Sequence, residues 1–563
     1  MSQNGRLPDE TAPLLAASQP STVDETLPVP DDAAEQVNDR GISVVRGVLC
    51  VVGLASLIFL QATNISILTT TQSTIAADLD AFEKTSWFTS SYLIAMSSFS
   101  PITGKLAQIF GPRIMLFVST ILLAIGVLVA AFAQAFPAFI VGRVITGLGA
   151  AGIFTVSIIV VLELSGPKRR GVMIGLLNSG YTVGVAMGAT AAGALLPKVG
   201  WRALFWMQAP VSLTGGALLL FAIPHGFTTS KNAGDGEGSV WRRLAKLDYF
   251  GAASLTLTLT LLLYALSSPR RIPILPILLS LLTLVLFVIC ETRYASDPLI
   301  PISLLRSRGL LLTCLGTTGF MLSRWLVLFY SPTYALAIRS WQPAAAGSIL
   351  IATNAGFAFG GIVVGAAHIR RHGSFYIPSL IAYGLFPITL LVLAQLSTSD
   401  SNVILYIFVL FANGATTGAA LNYTLAHLLH LTPSSTHYVG TALLATFRGF
   451  AGSFGSAIGG GVFSRVLRSS LEQGFKEEGL KHREALVRRL LGSPALVSGL
   501  KGIEHAVAVS AYEDALWWLW IMGAGVAALM VLVQAGTGWV GHKETAVEDV
   551  EEEAGEDTRE GPA

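Results

Sequence analysis

The chain has 563 residues, 52% of them apolar and 12% charged, with a formal net charge of +2. Soluble chains carry roughly 25% charged residues, and no Lys/Arg block or aromatic–basic interleaving marks a nucleic-acid face, so neither a string of soluble domains nor a nucleic-acid partner fits. Cys50, Cys290 and Cys314 all lie in or at the ends of apolar stretches, which argues against a disulfide framework, and no cofactor or metal site is expected.

Residues 1–45 are rich in Pro, Ser, Thr, Asp and Glu and are expected to be a disordered tail. Within it, Glu10-Thr-Ala-Pro-Leu14-Leu15 fits the acidic dileucine pattern [DE]xxxL[LI], a signal read by sorting adaptors. About fourteen apolar stretches follow, near 46–70, 86–106, 114–134, 138–162, 170–195, 203–224, 248–267, 272–291, 310–331, 344–366, 375–396, 402–425, 437–463 and 515–538. Each approaches the ~20 residues that cross a hydrocarbon core as a helix. The stretch at about 464–513 is expected to be a long loop, and 539–563 an acidic, solvated tail.

An even number of spans puts both termini on one side, and the excess of Lys and Arg in short loops marks the cytosol. Loops on the terminal side carry Lys105, Arg113, Lys168, Arg169, Arg170, Lys231, Arg242, Arg243, Lys246, Arg293, Arg306, Arg308, Arg370 and Arg371. The opposite short loops carry Lys84, Lys198, Arg202, Arg270, Arg271 and Arg339, so both termini are expected in the cytosol. Neither GxSxG nor a phosphate-cradling loop appears, so an enzyme is not expected. A symmetric pore filter is also missing, which leaves a carrier, expected as a monomer embedded in lipid. His427 and His430 share a helix face without a carboxylate, the pattern of a polar cap rather than a metal site.

The second stretch leaves the membrane through Gly104-Lys-Leu-Ala-Gln108-Ile-Phe-Gly111-Pro-Arg113. Gly111 before Pro112 is a helix stop, and Arg113 meets the negative end of the helix dipole. The segment resembles the cytoplasmic loop GxLaDxxGrR of the major facilitator superfamily, with Gln108 where that family has Asp. The fourth stretch carries Arg143-Val-Ile-Thr-Gly147-Leu-Gly149, similar to the family's RxxxGxGxa, with Glu163 at its cytoplasmic end expected to pair with Arg113. Gly180, Gly184, Gly188 and Gly193 resemble the glycine-rich helix of family antiporters, with Ala189 replacing the usual Pro; spacing of this kind lets helices pack closely.

Gly200-Trp-Arg202 and Leu247-Asp248-Tyr-Phe-Gly251 look like the fourteen-span drug:proton antiporter branch. The segments from Gln61 to Asp80 and from Ser86 to Met96 look like fungal vacuolar basic amino acid permeases, with Asn64 where the wider branch has Asp. The resemblance implies an all-α major facilitator fold with a six-helix bundle over 46–224 and a cytosolic loop 225–247. Two linking helices over 248–291, a loop 292–309 and a second bundle over 310–538 would follow. It further implies proton-coupled alternating access, with basic amino acids carried across the vacuolar membrane. The alternatives are multidrug or toxin:proton antiport at the plasma membrane, and a non-transporting nutrient receptor of the same fold. No Asp or Glu lies deep in any span. The candidates for contacting substrate or the coupling ion are therefore Gln61, Asn64, Gln72, Arg143, Asn178, Gln208, Arg324, Asn354, Asn413, Asn422 and Tyr423, with Arg448 as a further intramembrane cation.

Overall fold

The computed structural model describes residues 44–164, 170–224, 244, 247–268, 270–295, 307–365, 375–432, 437–480 and 482–538. The dileucine segment Glu10, Leu14, Leu15 and the acidic tail lie outside them. Contacts separate Met1–Gly47, of which only the first turn of one helix is described, from the body Val48–Ala563. The long helices, in chain order, are α1 (Val44–Asp78), α2 (Ser86–Phe110), α3 (Pro112–Ala131), α4 (Phe136–Leu164), α5 (Arg170–Trp206), α6 (Gln208–Ala222) and α7 (Tyr249–Leu266). After them come α8 (Ile274–Ile289), α9 (Arg308–Thr333), α10 (Pro343–Val363), α11 (Tyr376–Leu396), α12 (Val403–Leu431), α13 (His437–Glu477) and α14 (Gly502–Ala535). Eleven are long and apolar enough to cross a membrane. The other three are α2, rich in buried Ser and Thr, the short α6, and α13, whose second half is charged.

Bilayer-spanning backbone must satisfy its own hydrogen bonds, which is why the apolar stretches are helical throughout. Helix association in lipid relies on close packing rather than on the hydrophobic effect, so small residues sit at the crossings. Side chains at Gly414 and Gly418 of α12 would strike the carbonyls of Thr353 and Phe357 on α10. On α4, a side chain at Gly147 would strike the Tyr92 carbonyl on α2.

The two halves repeat one packing scheme. In the first, α2 packs on α4, α3 on α4, and α3 on α6; in the second, α10 packs on α12, α11 on α12, and α11 on α14. Each pair maps onto its counterpart by advancing eight helices, the internal repetition of a two-bundle carrier. Between the bundles α7 and α8 form a hairpin joined by the 2.8 Å Thr258–Thr283 hydroxyl bond. Its α7 packs against both α2 and α13, while α8 is outermost and exposes Leu278, Leu281, Leu282 and Val285.

The halves meet through α5 on α10 and α2 on α13. Calling the end where α1 starts the near end, these contacts run from the far end towards mid-depth. Ser90 and Ser456 hydroxyls are 2.8 Å apart, and those of Ser97 and Ser453 are 2.9 Å apart. Gly193 of α5 lies against the Pro343 backbone, and Gly347 of α10 against that of Ala189.

The structure differs from the sequence expectation over 464–513. Rather than one long loop, α13 continues to Glu477, followed by a short helix Glu484–Gly492, a 3-10 turn Pro494–Gly499 and the start of α14. This region covers the far end of the first bundle: Arg468 Nη2 is 2.8 Å from Glu83 Oε1, Arg488 Nη2 is 3.1 Å from Asp80 Oδ1, and Gly492 abuts Phe82. The fifth helix also runs past the expected 195, breaking at Gly200, whose φ of 75° suits glycine.

Candidate functional site

Arg143 on α4 is fully buried, seven residues from the far-end start of its helix. Its Nε donates to the Phe88 carbonyl at 2.8 Å and its Nη1 to Asn64 Oδ1 at 2.5 Å. Asn64 Nδ2 in turn donates to Gln208 Oε1 at 2.8 Å, which ties α1, α4 and α6 into one polar chain. The guanidinium carbon lies 4.6 Å from the Tyr92 ring and 5.9 Å from that of Phe205, within cation–π range. Nη2 has no hydrogen-bond partner. Gln61, three residues before Asn64, donates to Met96 Sδ at 3.3 Å while its Oε1 stays unpaired.

A second cluster surrounds Arg324 on α9, 2% exposed. Its Nη1 donates to Thr353 Oγ1 in a short bond and to Asn413 Oδ1 at 3.2 Å; its Nη2 reaches Asn354 Oδ1 and the Thr353 carbonyl, both at 3.3 Å. Asn413 Nδ2 donates to Thr389 Oγ1 at 2.8 Å. Asn354 Nδ2 is buried without a partner. Neither guanidinium has an ion-pair partner among the described residues. Since burying an unpaired charge costs several kcal/mol, each cluster carries positive charge that neutral oxygens only partly offset.

The remaining candidates stand apart. Gln72 is half-buried two turns beyond Asn64, and Asn422 Nδ2 bonds the Gly418 carbonyl of its own helix at 2.9 Å. Tyr423 stacks with Phe375, ring centroids 6.3 Å apart. Arg448 is half-buried on α13. The side chains of Asn178 and Glu163 lie outside the described residues, and with them the expected Glu163–Arg113 pair. Instead of a loop, one residue joins α2 to α3: Gly111 takes φ 80°, Gly104 and Gln108 lie in the last turns of α2, where Gly104 meets nothing closer than Thr155 Cγ2 and Gln108 is exposed, and Arg113 Nε at the start of α3 is buried without a partner. The α5 glycines divide between neighbours. Gly184 and Gly188 press on Phe59, Ala62, Thr63 and Ser66 of α1, Gly193 faces α10, and Gly180 meets nothing. His427 bonds Thr537 Oγ1 at 3.0 Å.

The model of the Major Facilitator Superfamily matches residues 54–460. The chain belongs to the Major Facilitator Superfamily. The "Acurin A biosynthesis cluster MFS-type transporter" of Aspergillus aculeatus is 29% identical over 428 residues, covering 73% of this chain and 74% of that one. "Vacuolar basic amino acid transporter 1" of Saccharomyces cerevisiae is 28% identical over 320 residues, 54% of each chain. A solved bacterial homologue of the human lysosomal transporter Spinster, inward-facing and unoccupied, shares the fold with a TM-score of 0.59 at 12% identity, covering 88% of this chain and 98% of that one. This major facilitator is therefore a multi-pass membrane transporter and not an enzyme.

Sequence reasoning about the major facilitator missed Tyr92, Phe205, Thr353 and Thr389, because Tyr, Phe and Thr are common in membrane helices and nothing local marks them. It also missed the bonds of Glu83 and Asp80 to the 464–513 region. The one available signal was the Arg and Lys density of a segment whose other face is apolar, as in Glu484–Gly492, where Val487, Leu490 and Leu491 are buried.

Proposed function

We propose that this major facilitator carries a small organic solute away from the cytosol by alternating access, driven by the proton gradient. The bundle α1–α6 would rock against α9–α14. The observation that carries the reading is the set of contacts joining the halves: hydroxyl pairs Ser90–Ser456 and Ser97–Ser453 and the glycine approaches of α5 to α10, all towards the far end. With the Lys/Arg-rich near end in the cytosol, these contacts support a state closed to the lumen or exterior. Such contacts are weak and separable, as a rocking pair of bundles needs.

Loading of basic amino acids into the vacuole is supported by the Saccharomyces relative and by the dileucine segment Glu10, Leu14, Leu15. The Aspergillus relative, named for a biosynthesis cluster, favours outward carriage of an organic product instead. Uptake of labelled lysine, histidine and arginine into isolated vacuoles, with and without the protein and with an uncoupler, tests the first reading. Uncoupler-sensitive, protein-dependent uptake is expected; its absence removes the amino-acid reading. Vacuolar localisation that survives Leu14→Ala with Leu15→Ala removes the sorting argument.

A further inference from the structure

Arg324 is a buried cation held entirely by neutral oxygens. Three of its four hydrogen bonds are 3.2–3.3 Å long, whereas a guanidinium closes to about 2.7–2.9 Å on a carboxylate. Thr353 and Asn354 come from α10 and Asn413 from α12, so three helices converge on one guanidinium. Beside it, Asn354 Nδ2 points at no acceptor although the residue is 6% exposed. The cluster thus holds a planar fork of donors and a spare amide donor, and among the described residues it has no anion. Among the described residues no carboxylate reaches it.

We propose that Arg324, with Thr353, Asn354 and Asn413, is the binding site for a carboxylate carried by the transported solute. Nη1 and Nη2 donate to the two carboxylate oxygens, the fork geometry that distinguishes Arg from Lys, and Asn354 Nδ2 donates a third bond. The solute's anion replaces weak neutral acceptors and neutralises a charge that the fold leaves open. A carboxylate is what an amino acid and an acidic metabolite have in common, so the site fits either. Those solutes which lack one are excluded. The inference rests on the transporter reading and adds the substrate class.

Thermal stability of the purified full-length chain is followed during titration at constant ionic strength with benzoate or benzamide, and with L-lysine or L-lysinamide. At least one carboxylate is expected to raise Tm saturably while its amide does not. A response to benzoate alone identifies an aromatic acid, and one to lysine alone an amino acid. In Arg324→Gln the apparent affinity is expected to fall at least tenfold, with Arg324→Lys intermediate. If Arg324→Gln fails to fold, Asn354→Asp decides: a built-in carboxylate beside the guanidinium should raise the basal Tm and abolish the response. Equal responses to acid and amide, no response to any of the four probes, or an undiminished response in Asn354→Asp, overturn the inference. Proteoliposome flux separates the two levels. Flux of a cationic or neutral solute without a carboxylate response overturns this site and leaves transport standing. A carboxylate response without flux of any probe overturns transport and leaves the site.

Discussion

The two bundles solve one problem with opposite polarity. In the first, the Arg stands on the fourth helix and the Asn on the first, as Arg143 and Asn64. In the second, the Arg stands on the first helix of the bundle and the Asn on the fourth, as Arg324 and Asn413. Asn64 and Arg324 sit on equivalent helices, each fourteen residues before the last helical residue at that end, Asp78 of α1 and Ile338, where the π-helical turn Tyr334–Ile338 that continues α9 ends. The surroundings differ. Arg143 has a single side-chain oxygen, a carbonyl and two aromatic rings, while Arg324 has four oxygens and, among the described residues, no ring in cation–π range. The repeat therefore conserves a cross-helix Arg–Asn contact and leaves its direction and its packing free to diverge.

That asymmetry is open to measurement. Asn64→Leu removes the one side-chain acceptor of Arg143 and the donor to Gln208, so a loss of about 3 kcal/mol is expected in chemical denaturation. Gly193→Val drives a side chain into the Pro343 backbone at the α5–α10 seam. A cost of about 2 kcal/mol to the far-end-closed state follows, read as faster labelling of Ser90→Cys from the far side. Asn413→Leu leaves Arg324 with Thr353 and Asn354, and about 1 kcal/mol is expected; a loss equal to that of Asn64→Leu would erase the difference between the bundles.

The smallest effect belongs to Glu83. Burial alone raises its carboxyl, but the Arg468 hydrogen bond and charge, joined by Arg270 and Arg488, outweigh burial and hold it below the ordinary carboxylate value. A depressed carboxyl contributes stability above its ordinary value, about 4.3, and loses that contribution as pH falls through the lower one. With Ser90→Cys labelling scaled to the thiolate fraction at each pH, which itself falls with acid, acidifying the far side from pH 7 to 5 should leave the Glu83 contribution to it unchanged. Glu83→Gln should increase the labelling slightly, because a partly exposed pair contributes no more than about 1 kcal/mol.

The helices were legible because lipid imposes both length and hydropathy on them. The polar clusters were legible only as separate residues. Asn64 and Arg143 are 79 positions apart, and Arg324 and Asn413 are 89 apart, so no local period joins them. Tyr92 and Thr353 entered through packing alone. The 464–513 region misled because hydropathy registers its charges and not its helix propensity. Arg468–Glu472 and Gln473–Glu477 are spaced to support a helix that leaves the membrane without ending. Gly200 shows the converse: Lys198 and Arg202 flank it and the sequence puts a loop between 195 and 203, yet the helix runs through this segment and breaks only at the Gly200 backbone.

The serine pairs between α2 and α13 set a limit on the cost of turnover. Each is one neutral hydroxyl–hydroxyl bond, worth about 1 kcal/mol net, and water admitted by the opening seam can replace it on both sides. No stranded charge is created when Ser90 leaves Ser456 or Ser97 leaves Ser453. The serine pairs can thus be unfastened and refastened many times with little net change in free energy, and under the proposed coupling the energy of the gradient would remain for the solute.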